Sequence, residues 1–154
     1  MSDKVLLTGI SGWIAKHIAI ELLNSGYEVL GTVRNKELIQ STKETLQNQK
    51  VPLDKLSFVE LDLLNDTGWN EAASGCKYIM HVASPFPIKV SKDRQKLVPV
   101  AKGGTLRVLN AGINANVEQI IVTSSIAAMF RKQNRSNPYT CLLYTSPSPR
   151  DNRV

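Results

Sequence analysis

Short apolar segments alternate along the chain with segments whose apolar residues recur at helical spacing. Five apolar segments predict buried strands, over residues 4–8, 27–34, 56–61, 77–83 and 119–123. Helices are predicted over residues 12–25, 37–49, 66–74 and 94–114. Strands that alternate with helices in this way are typical of a parallel sheet covered on both faces. We therefore predict an α/β fold of Rossmann type, with a doubly wound parallel sheet in the strand order 3-2-1-4-5.

Two of the predicted helices carry features that position them on the sheet. In the first, Ile14, Ile18 and Leu22 follow one another at intervals of four residues and Leu23 widens the stripe, so this face is expected to pack inward. In the last, Pro99 and the pair Gly103-Gly104 are expected to kink the helix and to bring it close to the sheet.

A glycine-rich turn joins the first strand to the first helix, in the sequence Thr8-Gly9-Ile10-Ser11-Gly12-Trp13-Ile14-Ala15. Gly9 allows a tight turn, Gly12 removes the side chain that would block a phosphate, and Ala15 allows close packing of helix and strand. The amino end of the helix then offers N–H groups to a pyrophosphate. Although a plain strand-turn-helix could carry such glycines, their context favours a dinucleotide site formed by Gly9, Ser11, Gly12, Trp13 and Ile14.

The second strand ends at Arg34, 22 residues beyond Gly12. At this place an acidic residue binds the ribose 2′-hydroxyl of NAD, whereas an arginine accommodates the 2′-phosphate of NADP. We therefore predict NADPH, rather than NADH, as the cofactor. Lys36 and Lys43 could add charge there, but a solvated helix face is the simpler interpretation for both.

The third and fourth strands end in further candidate cofactor residues. Asp62 can accept a hydrogen bond from an adenine amino group while Leu63 packs on the ring; alternatively, Asp62 only closes a turn or caps a helix. In the order 3-2-1-4-5 the fourth strand ends beside the glycine turn, so Ala83 and Ser84 are expected on the nicotinamide side.

Candidate catalytic residues are few. Ser124 and Ser125 follow the fifth strand, where they could cap a helix or bind a substrate carbonyl, and the neighbouring motifs favour the second role. His17 lies on the polar face of the first helix and His81 in a buried strand. We interpret the first as a solvated residue and the second as a hydrogen-bonded core residue.

Charge and composition narrow the range of partners. Residues 1–83 have a net charge of −2 and residues 84–154 of +8, but the basic residues are scattered without aromatic neighbours, which argues against nucleic-acid binding. No apolar run approaches the length of a membrane span, and the first strand follows Met1 too closely for a signal segment, so a soluble cytoplasmic protein is expected. Cys76 and Cys141 have no metal-ligand spacing, and no metal site is predicted.

Taken together, these motifs resemble those of the extended short-chain dehydrogenases/reductases. Within that superfamily the chain is most similar to the branch of dihydroflavonol reductases, cinnamoyl-CoA reductases and methylglyoxal/aldehyde reductases. The resemblance covers residues 3–130 and rests on Thr8-Gly9-x-x-Gly12-x-x-Ala15, Arg34, Asp62-Leu63, His81-Val82-Ala83-Ser84-Pro85 and Val122-Thr123-Ser124-Ser125. It implies an NADPH-dependent reductase of a small-molecule carbonyl compound, with Ser125 as the catalytic serine that holds the substrate oxygen.

One element that the resemblance requires is missing from this sequence. The family carries a Tyr-x-x-x-Lys pair downstream of the serine, in which the tyrosine protonates the carbonyl oxygen and the lysine lowers its pKa. None of the four tyrosines is followed by lysine at that spacing: the residues found there are Gly31, Val82, Leu143 and Ser148. We therefore expect no turnover from this chain.

The end of the chain differs in character from the rest. Residues 131–139 are polar and without period, and residues 141–154 resemble translated adapter or vector sequence, although a genuine Pro/Ser-rich tail is the alternative. We predict a partial NAD(P)-binding domain over residues 1–130 and an irregular tail over residues 131–154. Without a sixth strand, an apolar edge at residues 120–122 is expected to lose its cover.

Two other functions fit part of this pattern. The chain could be a non-catalytic NADP-binding module that regulates a partner, which predicts a cooperative, monodisperse domain with cofactor-dependent melting and a basic face that is used. It could also derive from a sugar-nucleotide epimerase or dehydratase of the same superfamily that retains NAD, but Arg34 argues against NAD.

Overall fold

A computed structural model describes residues 2–85, 97–125, 130–131 and 140–141. The chain divides into two compact units, residues 1–122 and 123–154. The described part of the second unit contains the antiparallel pair β6 (Phe130–Arg131) and β7 (Thr140–Cys141). The prediction of an adapter-like segment falls mostly on residues outside the described part.

The first unit is a parallel sheet with helices between successive strands. Its strands are β1 (Lys4–Thr8), β2 (Glu28–Val33), β3 (Leu56–Glu60), β4 (Tyr78–His81) and β5 (Gln119–Val122). The helices are α1 (Trp13–Asn24), α2 (Glu37–Asn48), α3 (Trp69–Ala73) and α4 (Leu97–Asn114). All pairs are parallel, in the order β3-β2-β1-β4-β5, which confirms the predicted fold class and strand order.

Apolar residues are buried on both faces of the sheet because neighbouring residues of a strand point to opposite sides. Leu6 packs with Trp69 and Val108, which lie on α3 and α4. Leu7 packs instead with α1 and α2, where Ala19 and Leu46 are buried. The central strand β1 is therefore covered on both sides, as its near-continuous apolar sequence predicts.

The buried face of α1 overlaps the predicted one, since Ile18 and Leu22 pack against the core and Leu23 is buried, but it is centred on the alanines of the helix. Ala15, Ala19 and Leu23 are the buried residues of this helix, whereas the side chain of Ile14 is 50% exposed. The two alanines are small enough for α1 to lie close against the sheet, so the stripe centred on them faces inward and Ile14 is turned away. The prediction that Ile14 packs into the core was wrong.

Helix α4 also differs in detail from its prediction. It runs without interruption from Leu97 to Asn114, with Pro99 in its first described turn. Its close approach to the sheet occurs at Gly112, where a Cβ atom would lie 2.5 Å from Ile120 Cδ1 and 2.9 Å from Ile79 Cδ1. Gly104 instead lies against Leu63, in the segment that follows β3.

Helix α3 is shorter than predicted, and the edge strand β5 has exposed apolar residues. The predicted helix over residues 66–74 is limited to α3, since Gly68 before it has a left-handed backbone with φ +89°. At the edge strand β5, Ile121 and Val122 are exposed. Among the described residues, no helix is long and apolar enough to cross a membrane.

Candidate cofactor-binding site

A cavity of about 570 Å³ lies at the carboxyl end of the sheet in the first unit. It is bounded by the β1–α1 turn, the end of β2, the segment after β3 and the segment after β4. The structure brings to it every residue of the first unit that the sequence assigned to a cofactor: Gly9, Ser11, Gly12, Trp13, Ile14, Arg34, Asp62, Leu63, Ala83 and Ser84. Ile14, which does not pack into the core, lines this cavity.

The two glycines of the turn meet different physical requirements. Gly9 has φ +70°, and a Cβ atom there would lie 3.0 Å from the Cβ of Ala83 and 3.1 Å from its Cα. Both the backbone conformation and the neighbouring strand therefore require glycine at this position. Gly12 has an ordinary extended backbone, and a Cβ there would meet only the Gly9 carbonyl oxygen, at 3.2 Å.

The amino end of α1 is left open toward the cavity. Gly12 is its N-cap and makes no side-chain capping hydrogen bond, and the first turn contains no acidic residue. The first N–H groups of a helix have no partner within the helix, and the helix dipole favours an anion there. Since Trp13 and Ile14 line the cavity at this point, the arrangement can accept a phosphate group.

A buried hydrogen-bond network ties the ends of β1 and β4 together beneath the cavity. The Thr8 hydroxyl oxygen accepts hydrogen bonds from the N–H groups of Val82 and Ala83, both at 3.0 Å. It also lies 2.9 Å from Nδ1 of His81. Because this oxygen already accepts two protons, its own proton is donated to Nδ1, which assigns the neutral His81 its proton on Nε2. His81 is thus a hydrogen-bonded core residue, as predicted.

Burial lowers the pKa of His81 below its ordinary value of 6.5, because the charged form would lose its hydration. His81 is 3% exposed, and its Nε2 lies 3.5 Å from the Thr105 hydroxyl. The neutral ring therefore suits a role as hydrogen-bond acceptor toward Thr8. His17, by contrast, is exposed and lies edge-on to the Trp13 ring.

Arg34 stands at the point where β2 ends. Its side chain is exposed and lines the cavity described above. It also lines a second cavity of about 660 Å³, to which Leu61 and Asp62 contribute as well. Within the described residues, Arg34 makes no ion pair. The neighbouring cations are directed elsewhere: Lys36 lies 3.8 Å from Glu60, and Lys43 lies over the ring of Phe58.

Asp62 shows the turn role that the sequence left open. One of its carboxylate oxygens accepts a hydrogen bond from the N–H of Leu64 at 3.0 Å, and its carbonyl accepts one from Asn65. The side chain nevertheless lines the cavity and is half-buried. The turn therefore fixes the carboxylate in place without removing it from the cavity.

The profile of the NAD dependent epimerase/dehydratase family matches residues 5–152 of this sequence. The chain belongs to this family. Among curated relatives, it is 37% identical over 131 residues to cinnamoyl-CoA reductase 1 of Petunia hybrida, which covers 85% of the chain and 38% of that protein. It is 30% identical over 134 residues to dihydroflavonol 4-reductase of Hordeum vulgare, covering 87% of the chain and 38% of the relative. The predicted resemblance to this branch is confirmed.

A solved structure extends the comparison to the fold. The yeast methylglyoxal/isovaleraldehyde reductase Gre2, determined in complex with NADPH, superposes with a TM-score of 0.70 at 28% identity, over 82% of this chain and 38% of Gre2. The chain thus spans less than half the length of each of these three relatives.

Ser125, the predicted catalytic serine, belongs to the second unit, where it is exposed. Its assignment remains a prediction. Within the described residues, no group of three or more His, Cys, Asp or Glu side chains could hold a metal ion.

Several cavity residues carried no signal that the sequence analysis used. They are Thr32, Leu38, Leu64, Trp69 and Val100. Thr32 has a definite role, since its hydroxyl accepts a hydrogen bond from the N–H of Gly9 at 3.0 Å. A threonine within an otherwise apolar strand end is the one signal that could have indicated it.

Proposed function

We propose that this chain is the NADPH-binding N-terminal portion of an oxidoreductase that reduces an aldehyde or ketone to an alcohol. The observation that carries the proposal is the convergence of ten predicted cofactor residues, drawn from four separate segments, on one cavity. The cinnamoyl-CoA, dihydroflavonol and methylglyoxal reductases named above support the reaction class.

The residues of the cavity match the parts of a dinucleotide. The open amino end of α1 and the bare Gly12 suit the pyrophosphate. Asp62 and Leu63 are assigned to the adenine, and Ala83 and Ser84 to the nicotinamide, because all four line the same cavity at separate strand ends. NADPH, when bound, supplies the hydride that adds to the carbonyl carbon, and Ser125 is proposed to hold the carbonyl oxygen.

Arg34 supports NADPH over NADH. Its guanidinium makes no ion pair among the described residues, and it carries a positive charge where a 2′-phosphate is proposed to lie. Arginine is suited to this role because its planar fork can donate two hydrogen bonds to one phosphate. The NADPH complex of yeast Gre2 supports the same choice.

The direct test is titration of the chain with NADPH and with NADH, for the wild type and for Arg34→Ala. Hydrogen bonds to charged groups contribute about 1.5–3 kcal/mol, so the substitution should weaken NADPH binding by roughly 10- to 150-fold. NADH binding should change by less than about twofold. Calorimetry or cofactor fluorescence gives both constants.

Lys43→Ala is the matched control, because Lys43 is an exposed cation of the neighbouring helix that does not line the cavity. It should leave both affinities unchanged. Equal losses for NADPH and NADH in Arg34→Ala would contradict the assignment of Arg34 to the 2′-phosphate. If the wild-type chain binds neither cofactor, the proposed function itself fails.

A further inference from the structure

The segment that follows β3 packs closely against helix α4 at Gly104. At Gly104 a Cβ atom would lie 2.9 Å from the Cβ of Leu63 and 3.2 Å from its Cδ2. These distances are shorter than ordinary side-chain contacts, so Leu63 occupies space that any larger residue at position 104 would fill. The missing side chain of Gly104 thus determines how closely this segment approaches the helix.

Arg107 of the same helix fastens the segment at two points. Its Nη1 donates a hydrogen bond to the Leu63 carbonyl oxygen at 2.9 Å, and its Nε pairs with a carboxylate oxygen of Asp66. The guanidinium can lie back along α4 because Gly103, one turn earlier, has no side chain: a Cβ there would lie 2.9 Å from Nη1. Gly104 therefore leaves room for the Leu63 side chain, and Gly103 leaves room for the Arg107 guanidinium that binds the segment.

The segment that is held in this way is itself tightly hydrogen-bonded. The Asp62 carboxylate accepts a hydrogen bond from Leu64, and the Asn65 side chain accepts one from Thr67, at 3.1 Å. The Trp69 indole donates to the Asn65 carbonyl at 2.9 Å. A turn with so many internal bonds moves as a unit, so a shift at Leu63 would carry Asp62 with it.

We propose that Gly103, Gly104 and Arg107 of α4 set the position of Asp62 and Leu63, which makes Arg107 a positioning residue for the adenine end of the cofactor site. Arg107 does not line the cavity, and it acts only through the segment it holds. The proposal rests on the function proposed above. It predicts that a helix on one face of the sheet controls affinity for the adenine half of the cofactor.

The test compares Arg107→Met with Val108→Ala in the full chain. Methionine keeps an unbranched side chain but removes both donors, whereas Val108 is the neighbouring, fully buried core residue of α4. The probe is 2′,5′-ADP, the adenine half of NADPH, with its dissociation constant measured by calorimetry well below each variant's melting temperature. Arg107→Met should weaken binding by about tenfold, and Val108→Ala by less than about twofold despite its loss of stability.

A third variant separates the two contacts of Arg107. Arg107→Lys can donate to Leu63 or to Asp66 but cannot reproduce the fork, so its affinity should fall between those of the wild type and Arg107→Met. Should Arg107→Met fail to fold, Asp66→Asn removes the charge of one contact and should weaken 2′,5′-ADP in the same direction.

The outcomes separate this inference from the proposed function. If the wild type binds 2′,5′-ADP and Arg107→Met binds it equally well, the positioning role is overturned while the cofactor site stands. A loss in Val108→Ala as large as in Arg107→Met would also overturn it, since stability alone would then explain both. If the wild type does not bind 2′,5′-ADP, it is the proposed function that fails.

Discussion

Gly9 and Gly12 stand three residues apart in one turn, yet the structure requires glycine at them for different reasons. At Gly9 the requirement lies in the protein itself, because the backbone is left-handed and Ala83 is in contact. At Gly12 the backbone is extended and an added Cβ would meet only the Gly9 carbonyl oxygen, at 3.2 Å, so the stronger requirement for glycine there comes from the proposed ligand. A substitution at Gly9 is therefore expected to affect folding, whereas a substitution at Gly12 is expected to affect cofactor binding.

We expect Gly12→Val to abolish binding of both NADPH and NADH while leaving the fold largely intact. The backbone at Gly12 is extended, which valine adopts readily, but its branched side chain would occupy the proposed pyrophosphate position. Cofactor titration measures the first effect and thermal unfolding the second. Gly9→Val is the comparison, in which stability itself should fall. Undiminished cofactor binding by Gly12→Val would refute the glycine turn as the phosphate site.

At the scale of elements, β1 and β4 are joined by more than their backbone ladder. The Thr8 hydroxyl binds the two N–H groups that continue β4 beyond its last residue, and His81 holds that hydroxyl in the required orientation. The strand ends that border the cavity are thereby fixed to one another. This arrangement depends on a neutral imidazole, since Nδ1 must accept the hydroxyl proton.

This dependence predicts a loss of stability in mild acid. Because the folded-state pKa of His81 lies below its ordinary value of 6.5, the unfolded chain binds the proton more readily. The contribution of His81 is present above pH 6.5 and is lost as the pH falls through the folded-state pKa.

Denaturant unfolding between pH 5 and pH 8 measures this contribution. His81→Asn is the control, because its amide oxygen can accept the Thr8 proton but does not titrate. The free energy of unfolding of the wild type should fall more steeply below pH 6.5 than that of the variant. Parallel pH profiles for the two proteins would assign the acid sensitivity to other groups.

At the scale of the whole molecule, the residues proposed for the cofactor are all present, whereas the tyrosine-lysine pair that the resemblance requires is not in this sequence. The first unit contains the residues proposed for the dinucleotide, whereas the sequence contains no Tyr-x-x-x-Lys pair. Binding and turnover should therefore be separable in this chain. The distinction also matters for the alternative of a non-catalytic NADP-binding module, because such a module requires cofactor binding but no turnover.

We expect NADPH to stabilise the chain without being oxidised by an aldehyde. A ligand at about 100 times its dissociation constant raises the free energy of unfolding by about 2.7 kcal/mol. Removal of a positioned proton donor costs about 10²–10⁴-fold in rate. Thermal unfolding with and without NADPH checks the first expectation, and NADPH absorbance in the presence of aldehyde checks the second. Turnover at ordinary enzymatic rates would show that another group supplies the proton.

The sequence by itself determined the strand order, the fold class and the ten cofactor candidates. It could do so because glycine, arginine and aspartate at strand ends reflect local requirements of backbone conformation and charge, and these are readable from neighbouring residues. Tertiary structure alone decided which face of α1 is buried and where α4 meets the sheet, since both depend on how closely two elements approach. The contacts are made by small residues, Ala15, Ala19 and Gly112. A prediction from helical spacing relies on the large apolar residues instead, so it misses them. The Arg107 contacts were equally inaccessible to sequence reasoning, because they join segments more than forty residues apart.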